Sequence, residues 1–216
     1  MAEPAALVVD YGGVLTAPLA DAMAQWCAAD GIDVAQFRGV MKEWLGSAYD
    51  ATGTGNPLHA LERGELAAAE FEAELALRLR SADGGAVDGS GLLTRMFAGF
   101  DAGEVPMLTA LRRARSAGVL TALLSNSWGL DYPREGWDEL FDAVVISGEV
   151  GLRKPEPEIY ALVARRLGVE PDQCVFVDDL SPNIRGAEAA GMVGVHHVDA
   201  EGTIGALEAL FGLALR

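Results

Sequence analysis

Short apolar runs that stop on polar residues recur along the chain. Leu7-Val8-Val9 stops at Asp10, Val119 to Leu124 at Ser125-Asn126, Val144-Val145-Ile146 at Ser147, and Val175-Phe176-Val177 at Asp178-Asp179. A fifth run, Val193 to Val198, stops at Asp199. Continuous β-branched runs of this length predict strands buried on both faces, as in a parallel sheet. Helical patterns separate most of them. Glu104 to Ala117 and Glu156 to Leu167 repeat apolar residues at helical spacing and stop at Gly118 and Gly168. Shorter helices are expected over Ile184 to Ala190 and Thr203 to Phe211. This alternation predicts an α/β fold, a doubly wound parallel sheet of Rossmann-like type.

The segment from Pro18 to Gly99 interrupts the alternation. It has no convincing strand pattern, whereas Asp21 to Ala29, Val34 to Leu45 and Leu66 to Arg80 have helical periodicity. An all-helical insertion over residues 18–99 is therefore expected, dividing a core domain made of residues 1–17 and 100–216. The glycine-rich stretches Gly46 to Pro57 and Asp83 to Gly91 predict loops. The Glu- and Ala-rich run from Glu62 to Arg80 predicts a solvated helix face.

A parallel sheet brings the carboxyl ends of its strands to one edge, and ligands bind in the crevice outside that edge. Asp10, Ser125, Asp178 and Asp179 are thus predicted neighbours. Three carboxylates so placed repel one another unless a cation lies between them, and a hard divalent ion, Mg²⁺ by preference, suits all-oxygen ligands. After Asp10, Gly12 and Gly13 let the backbone turn sharply and approach a ligand. Ser125 and the amides that follow it can donate to phosphate or carboxylate oxygens. Lys154, just before a helix expected to open at Pro155, offers a point charge to an anion.

Charge narrows the partners. The 216 residues carry 16 Lys and Arg against 32 Asp and Glu, a formal net charge of −16. Such a surface repels nucleic acid and anionic membranes, which basic stripes hold. Cys27 and Cys174 lack the density of a disulfide framework and predict reduced thiols. The N-terminal stretch lacks a signal-peptide pattern, and no apolar run approaches the ~18 residues of a membrane span, so a cytoplasmic protein is expected. His196-His197 is expected to be structural. So are most aromatics of the insertion (Trp26, Trp44, Tyr49) together with His59, and Trp128, Tyr132 and Trp137 after Ser125; Tyr11 and the Gly46 to Pro57 loop are the better specificity candidates.

Taken in order, VVDYGGVLT (8–16), LLSNS (123–127), GLRKPEPEIY (151–160) and VFVDDLSPNIRGAEAAGM (175–192) resemble the four motifs of the haloacid dehalogenase-like hydrolases. The branch whose first motif reads Asp-x-Gly-Gly-Val-Leu is most similar, including the N-terminal phosphatase domain of soluble epoxide hydrolases. By that resemblance residues 18–99 form a C1-type cap, and Asp10 is the nucleophile of a phosphomonoesterase that forms an aspartyl-phosphate. Ser125 and Asn126, with Gly12 and Gly13, would bind the phosphorylated small-molecule substrate. Lys154 would neutralise charge. Mg²⁺ would be held by Asp10, the Gly12 carbonyl and Asp179, with Asp178 as ligand or orienting neighbour, and Asn183 nearby.

The sequence departs from the phosphatase pattern at Gly12, where such enzymes usually carry an acid/base Asp. General acid help is worth ~10²–10⁴-fold, so esters with good leaving groups are the expected substrates. Two other readings stay open: a 2-haloacid dehalogenase, whose chemistry needs no metal, and a degenerate homologue that binds a phosphoryl ligand without turnover. A monomer and a homodimer are equally consistent with the sequence.

Overall fold

In the computed structural model, which describes residues 3–46, 55–98, 106–129 and 131–216, the apolar run after Pro4 becomes the central strand β1 (Ala6–Val9). The helices α1 (Leu19–Ala29), α2 (Val34–Gly46), α3 (Pro57–Glu62), α4 (Ala68–Arg78) and α5 (Leu92–Phe97) follow. The chain then alternates: α6 (Pro106–Ser116), β2 (Leu120–Ser125), α7 (Trp137–Leu140), β3 (Ala143–Ile146), α8 (Ser147–Val150) and α9 (Pro157–Leu167). It ends with β4 (Cys174–Asp178), α10 (Ser181–Ala189), β5 (Val193–His196) and α11 (Ala200–Phe211).

The five strands form one parallel sheet in the order β3-β2-β1-β4-β5. Side chains alternate between its faces with period two. Leu7, Val9, Leu123, Val175 and Val177 pack against α6 and α11 through Met107, Leu111, Ile204 and Leu207. Ala6, Val8, Leu124 and Phe176 pack on the other face against α9 and α10 through Ile159, Val163 and Ile184. Both faces are covered, which is why these strands read as unbroken apolar runs rather than alternating ones.

The helices between residues 19 and 97 gather around an apolar cluster of their own, including Trp26, Phe37, Trp44, Phe71 and Leu75, with Trp128 from the loop after β2 packed against it. No described helix is long and apolar enough to cross a membrane. Cys27 and Cys174 are buried and free, as expected, and burial pushes both thiols up to about 11.

Several expectations need adjustment. β5 stops at His196 rather than Val198, and α9 opens at Pro157 rather than Pro155. The short helices α3, α5, α7 and α8 were not anticipated, since four to six residues span too few turns to show a period. α3 nevertheless has a local signal: Asn56 accepts from the amides of Leu58 and His59, and Pro57 takes the first helical position. The run from Glu62 to Arg80 is not a uniformly solvated face. Glu62 and Glu72 are buried, Glu72 accepting from the amides of Gly91 and Leu93. Tyr49, the start expected for α6 at Glu104, and most of the Gly46 to Pro57 loop lie outside the described residues.

Candidate active site

The sheet register sets the site. Val9 is level with Leu123 and with Val177, so Asp10, just past β1, and Asp178, the last residue of β4, lie side by side at the carboxyl edge of the sheet. The amide of Asp10 donates to the carbonyl of Val177 at 2.9 Å, prolonging the ladder by one bond. By the two-residue period both carboxylates belong to the face covered by α9, and Lys154 arrives on that face three residues before α9 begins.

Lys154 is buried, and its ammonium donates to Asp10 Oδ1 at 2.7 Å and to Asp178 Oδ2 at 2.6 Å, 5.5 Å from the ring centre of Phe176. Its backbone is held at both ends by one side chain. Asn126 Oδ1 accepts from the Lys154 amide at 2.9 Å, and Asn126 Nδ2 donates to the Lys154 carbonyl at 3.1 Å. Asp178 Oδ1 accepts from the Leu180 amide and from Asn183 Nδ2; Oδ2 accepts from Lys154 and from Asn183 Nδ2. Those four contacts fill the acceptor positions of a carboxylate.

Asp179 differs. Its Oδ1 is buried without a hydrogen-bond partner among the described residues. Gly13, with φ +78°, carries the chain past it, and a Cβ there would lie 2.5 Å from Asp179 Oδ2. The turn is closed by the Gly13 amide donating to Thr16 Oγ1 and the Leu15 amide to the Tyr11 carbonyl. Asp10, Asp178 and Asp179 each bring a carboxylate oxygen within 4.8 Å of the others.

Three carboxylates share one ammonium, which leaves a surplus of two negative charges when all are ionised. Burial, opposed by Lys154 and reinforced by Asp178 and Asp179, raises Asp10 to about 7. Burial and the neighbouring Asp178 raise Asp179 to about 6. For Lys154, burial alone would favour the neutral amine, but Asp10 and Asp178 outweigh it and hold the proton more firmly than usual. An unpartnered buried oxygen beside two further carboxylates is a donor set that fits a hard divalent cation, with Asp10 and Asp179 as its available ligands.

A cavity of about 500 Å³ opens above these groups. Asp10, Gly12, Ser125, Asn126, Lys154, Asp179 and Asn183 line it, whereas Gly13 and Asp178 stand behind the lining. Ser125 Oγ lies 2.9 Å from the hydroxyl of Tyr132, whose burial pushes it up to about 12. Tyr132 also stacks edge-on against Tyr11, so this tyrosine, read from sequence as packing, joins the cavity wall. Arg153 is buried against Glu62. His196 and His197 bond the Asp179 carbonyl and Thr203, respectively, and join no group of three metal-ligating side chains among the described residues. Glu62 and Arg153 could not be found in advance, because their pairing spans α3 and the loop before α9, which no local pattern connects.

A parallel sheet with carboxylates and a buried lysine at its carboxyl edge, beneath a cavity, has its polar groups where α/β folds bind small ligands. The model of the haloacid dehalogenase-like hydrolases matches residues 4–191, and the chain belongs to that family. It is 43% identical over 94 residues to a glyceraldehyde 3-phosphate phosphatase of Methanopyrus kandleri, covering 42% of this chain and 40% of that one. It is 35% identical over 114 residues to a sesquiterpene phosphatase of Aspergillus oryzae, covering 50% of this chain and 58% of that one. The matched segments thus span about half the length of these relatives. A crystal structure of a dehalogenase superposes with a TM-score of 0.67 at 20% identity, covering 99% of this chain and all of that one, a likeness of fold.

Proposed function

We propose that the protein is a Mg²⁺-dependent phosphomonoesterase of a small phosphorylated molecule, with Asp10 as nucleophile and the helices of residues 18–99 as its cap. The observation that carries this reading is the unpartnered, buried Asp179 Oδ1 beside Asp10 and the Lys154 ammonium. Displacing a halide from carbon requires no such acidic pair, so the phosphatase reading explains more of the site than the dehalogenase reading does.

Asp10 Oδ1 is engaged by Lys154, while Oδ2 has no hydrogen-bond partner among the described residues. Oδ2 would attack phosphorus as the ester P–O bond breaks and its electrons leave with the alcohol oxygen, giving an aspartyl-phosphate. Water would then hydrolyse that acyl phosphate and regenerate the carboxylate. Lys154 would hold Asp10 in place and offset phosphoryl charge, a type of stabilisation whose removal costs ~10²–10³-fold in turnover. Ser125 would donate to a phosphoryl oxygen, its own position set by Tyr132. Asn126, whose amide is engaged with the Lys154 backbone, would act chiefly by fixing that lysine.

Asp10, the Gly12 carbonyl and Asp179 would hold the ion, and Asp178, with its acceptors filled, would orient Lys154. When bound, Mg²⁺ supplies the positive charge that lets these carboxylates ionise together and that offsets a bound phosphoryl group. Gly12 leaves the alcohol oxygen without the usual acid, so aryl and other good leaving groups should react fastest.

Hydrolysis of p-nitrophenyl phosphate with Mg²⁺, set against chloride release from 2-chloropropionate in EDTA, tests the reading. Phosphate release that disappears with EDTA and in Asp10→Asn supports it. Halide release without metal would replace it.

A further inference from the structure

The cavity is polar at one end only. Around Asp10, Ser125, Lys154 and Asp179 it is built of charged and hydroxyl groups, whereas α1 and α2 present Leu19, Met23, Phe37, Met41 and Leu45 to it, with Trp128 from the loop after β2. Of the other charged groups that line it, Glu62 is buried on the Asn126 and Lys154 side and paired with Arg153, and Arg38 and Asp131 are exposed. Its volume of about 500 Å³ falls within the 300–1,000 Å³ typical of small-molecule sites and far exceeds what one phosphate fills.

Resting on the phosphatase reading above, we propose that the substrate is a water-soluble phosphate monoester of an apolar alcohol, whose hydrocarbon part lies between α1, α2 and Trp128. A sugar or glycerol phosphate in this position would bury hydroxyls against methionine, leucine and aromatic carbon, while the Glu62 carboxylate and the Tyr132 hydroxyl are already engaged by Arg153 and Ser125 and Asp131 is exposed, and unmatched buried polar groups are costly. A hydrocarbon chain loses nothing there and gains from each methylene removed from water. The phosphate at the polar end fixes the orientation, so the chain can extend only along the apolar wall. The net charge of −16 opposes docking on an anionic bilayer, which selects esters free in solution over lipids embedded in one.

The test is a chain-length series at constant leaving-group chemistry: butyl, pentyl, hexyl and octyl phosphate below their micellar concentrations, with Mg²⁺, alongside glycerol phosphate and glucose 6-phosphate. kcat/KM should rise about fourfold per methylene, the factor that corresponds to ~0.8 kcal/mol per buried CH₂. The two polyol phosphates should fall at least about a hundredfold below octyl phosphate. Met41→Gln, which places an amide in the wall, should flatten the series. A flat series, or polyol phosphates turned over as well as octyl phosphate, overturns the apolar-substrate inference. If p-nitrophenyl phosphate is still hydrolysed in an Asp10-dependent way, the phosphatase reading survives that result. Failure to release phosphate from any ester would instead overturn the phosphatase reading and the inference with it.

Discussion

Glu62, the last residue of α3, forms a buried ion pair with Arg153, the residue immediately before Lys154. Both side chains are 4% exposed. Ser147 Oγ donates to the Glu62 carbonyl, and Arg63 pairs with Glu156 at 2.6 Å. The helical layer therefore grips the segment that carries the lysine from both sides. Burial tends to raise the Glu62 carboxyl and Arg153 opposes it, so the acid is held beside its partner at a desolvation cost.

Removing one member of this pair leaves the other charge buried alone. Glu62→Ala is expected to destabilise the protein by about 3–5 kcal/mol in denaturant titrations. The double variant Glu62→Leu with Arg153→Met should recover much of that loss, because two apolar side chains need no partners. Its kcat should stay below that of the unaltered enzyme if the pair positions Lys154. Full recovery of both stability and kcat would reduce the pair to packing.

The surplus of carboxylates gives the metal-free protein a pH dependence of definite sign. An unfolded Asp ionises near 3.9, whereas the folded chain holds Asp179 to about 6 and Asp10 to about 7. Between those values the folded state binds protons that the unfolded state has released, so stability falls as pH rises through this window. Thermal unfolding in EDTA should show a falling Tm from pH 5 to pH 8. Mg²⁺ should raise Tm more at pH 8 than at pH 5. Equal increments at the two values would argue against Asp10 and Asp179 as its ligands.

The sheet and the neighbourhood of Asp10, Ser125, Asp178 and Asp179 were readable from sequence, because each depends on local period or on the rule that parallel strands end at one edge, whereas Lys154, on a loop before α9, was placed beside them only by the resemblance of its motif. The acceptor count that separates Asp178 from Asp179 was not readable, since it depends on where Asn183 and the Leu180 amide point. Arg153 illustrates the same limit. Its partner in the fold, Glu62, lies 91 positions away, beyond the reach of any local pattern. The apolar wall escaped notice for a related reason: Met23, Phe37 and Met41 follow the period of an ordinary buried helix face, and nothing in that period says whether the face meets protein or a cavity.

The acidic surface should matter little to capture of the substrate. Charges beyond the site are screened over ~8 Å at physiological salt, and the local cation Lys154 is buried with its carboxylates. Raising NaCl from about 50 to 300 mM is expected to change KM by less than about twofold, with removal of Mg²⁺ abolishing activity. A steep salt dependence in steady-state assays would show that the global field reaches the crevice.

The two adjacent glycines of the first motif should respond oppositely to substitution. A Cβ on Gly12 would meet the Leu19 side chain in ordinary contact, its nearest atom Cδ1 at 3.4 Å, and the backbone there is not left-handed. Gly12→Asp is therefore tolerated sterically, and it supplies the leaving-group acid that the motif lacks. Turnover of alkyl phosphates should rise by about 10–100-fold, with a smaller gain for p-nitrophenyl phosphate, whose leaving group needs no proton; general acid help has ~10²–10⁴-fold to offer. Gly13→Ala should instead abolish activity and weaken Mg²⁺ binding, since its Cβ would fall 2.5 Å from Asp179 Oδ2 at a φ of +78°. Matched gains on alkyl and aryl esters in Gly12→Asp would mean that proton donation does not limit this enzyme, and the leaving-group argument built on Gly12 would fail.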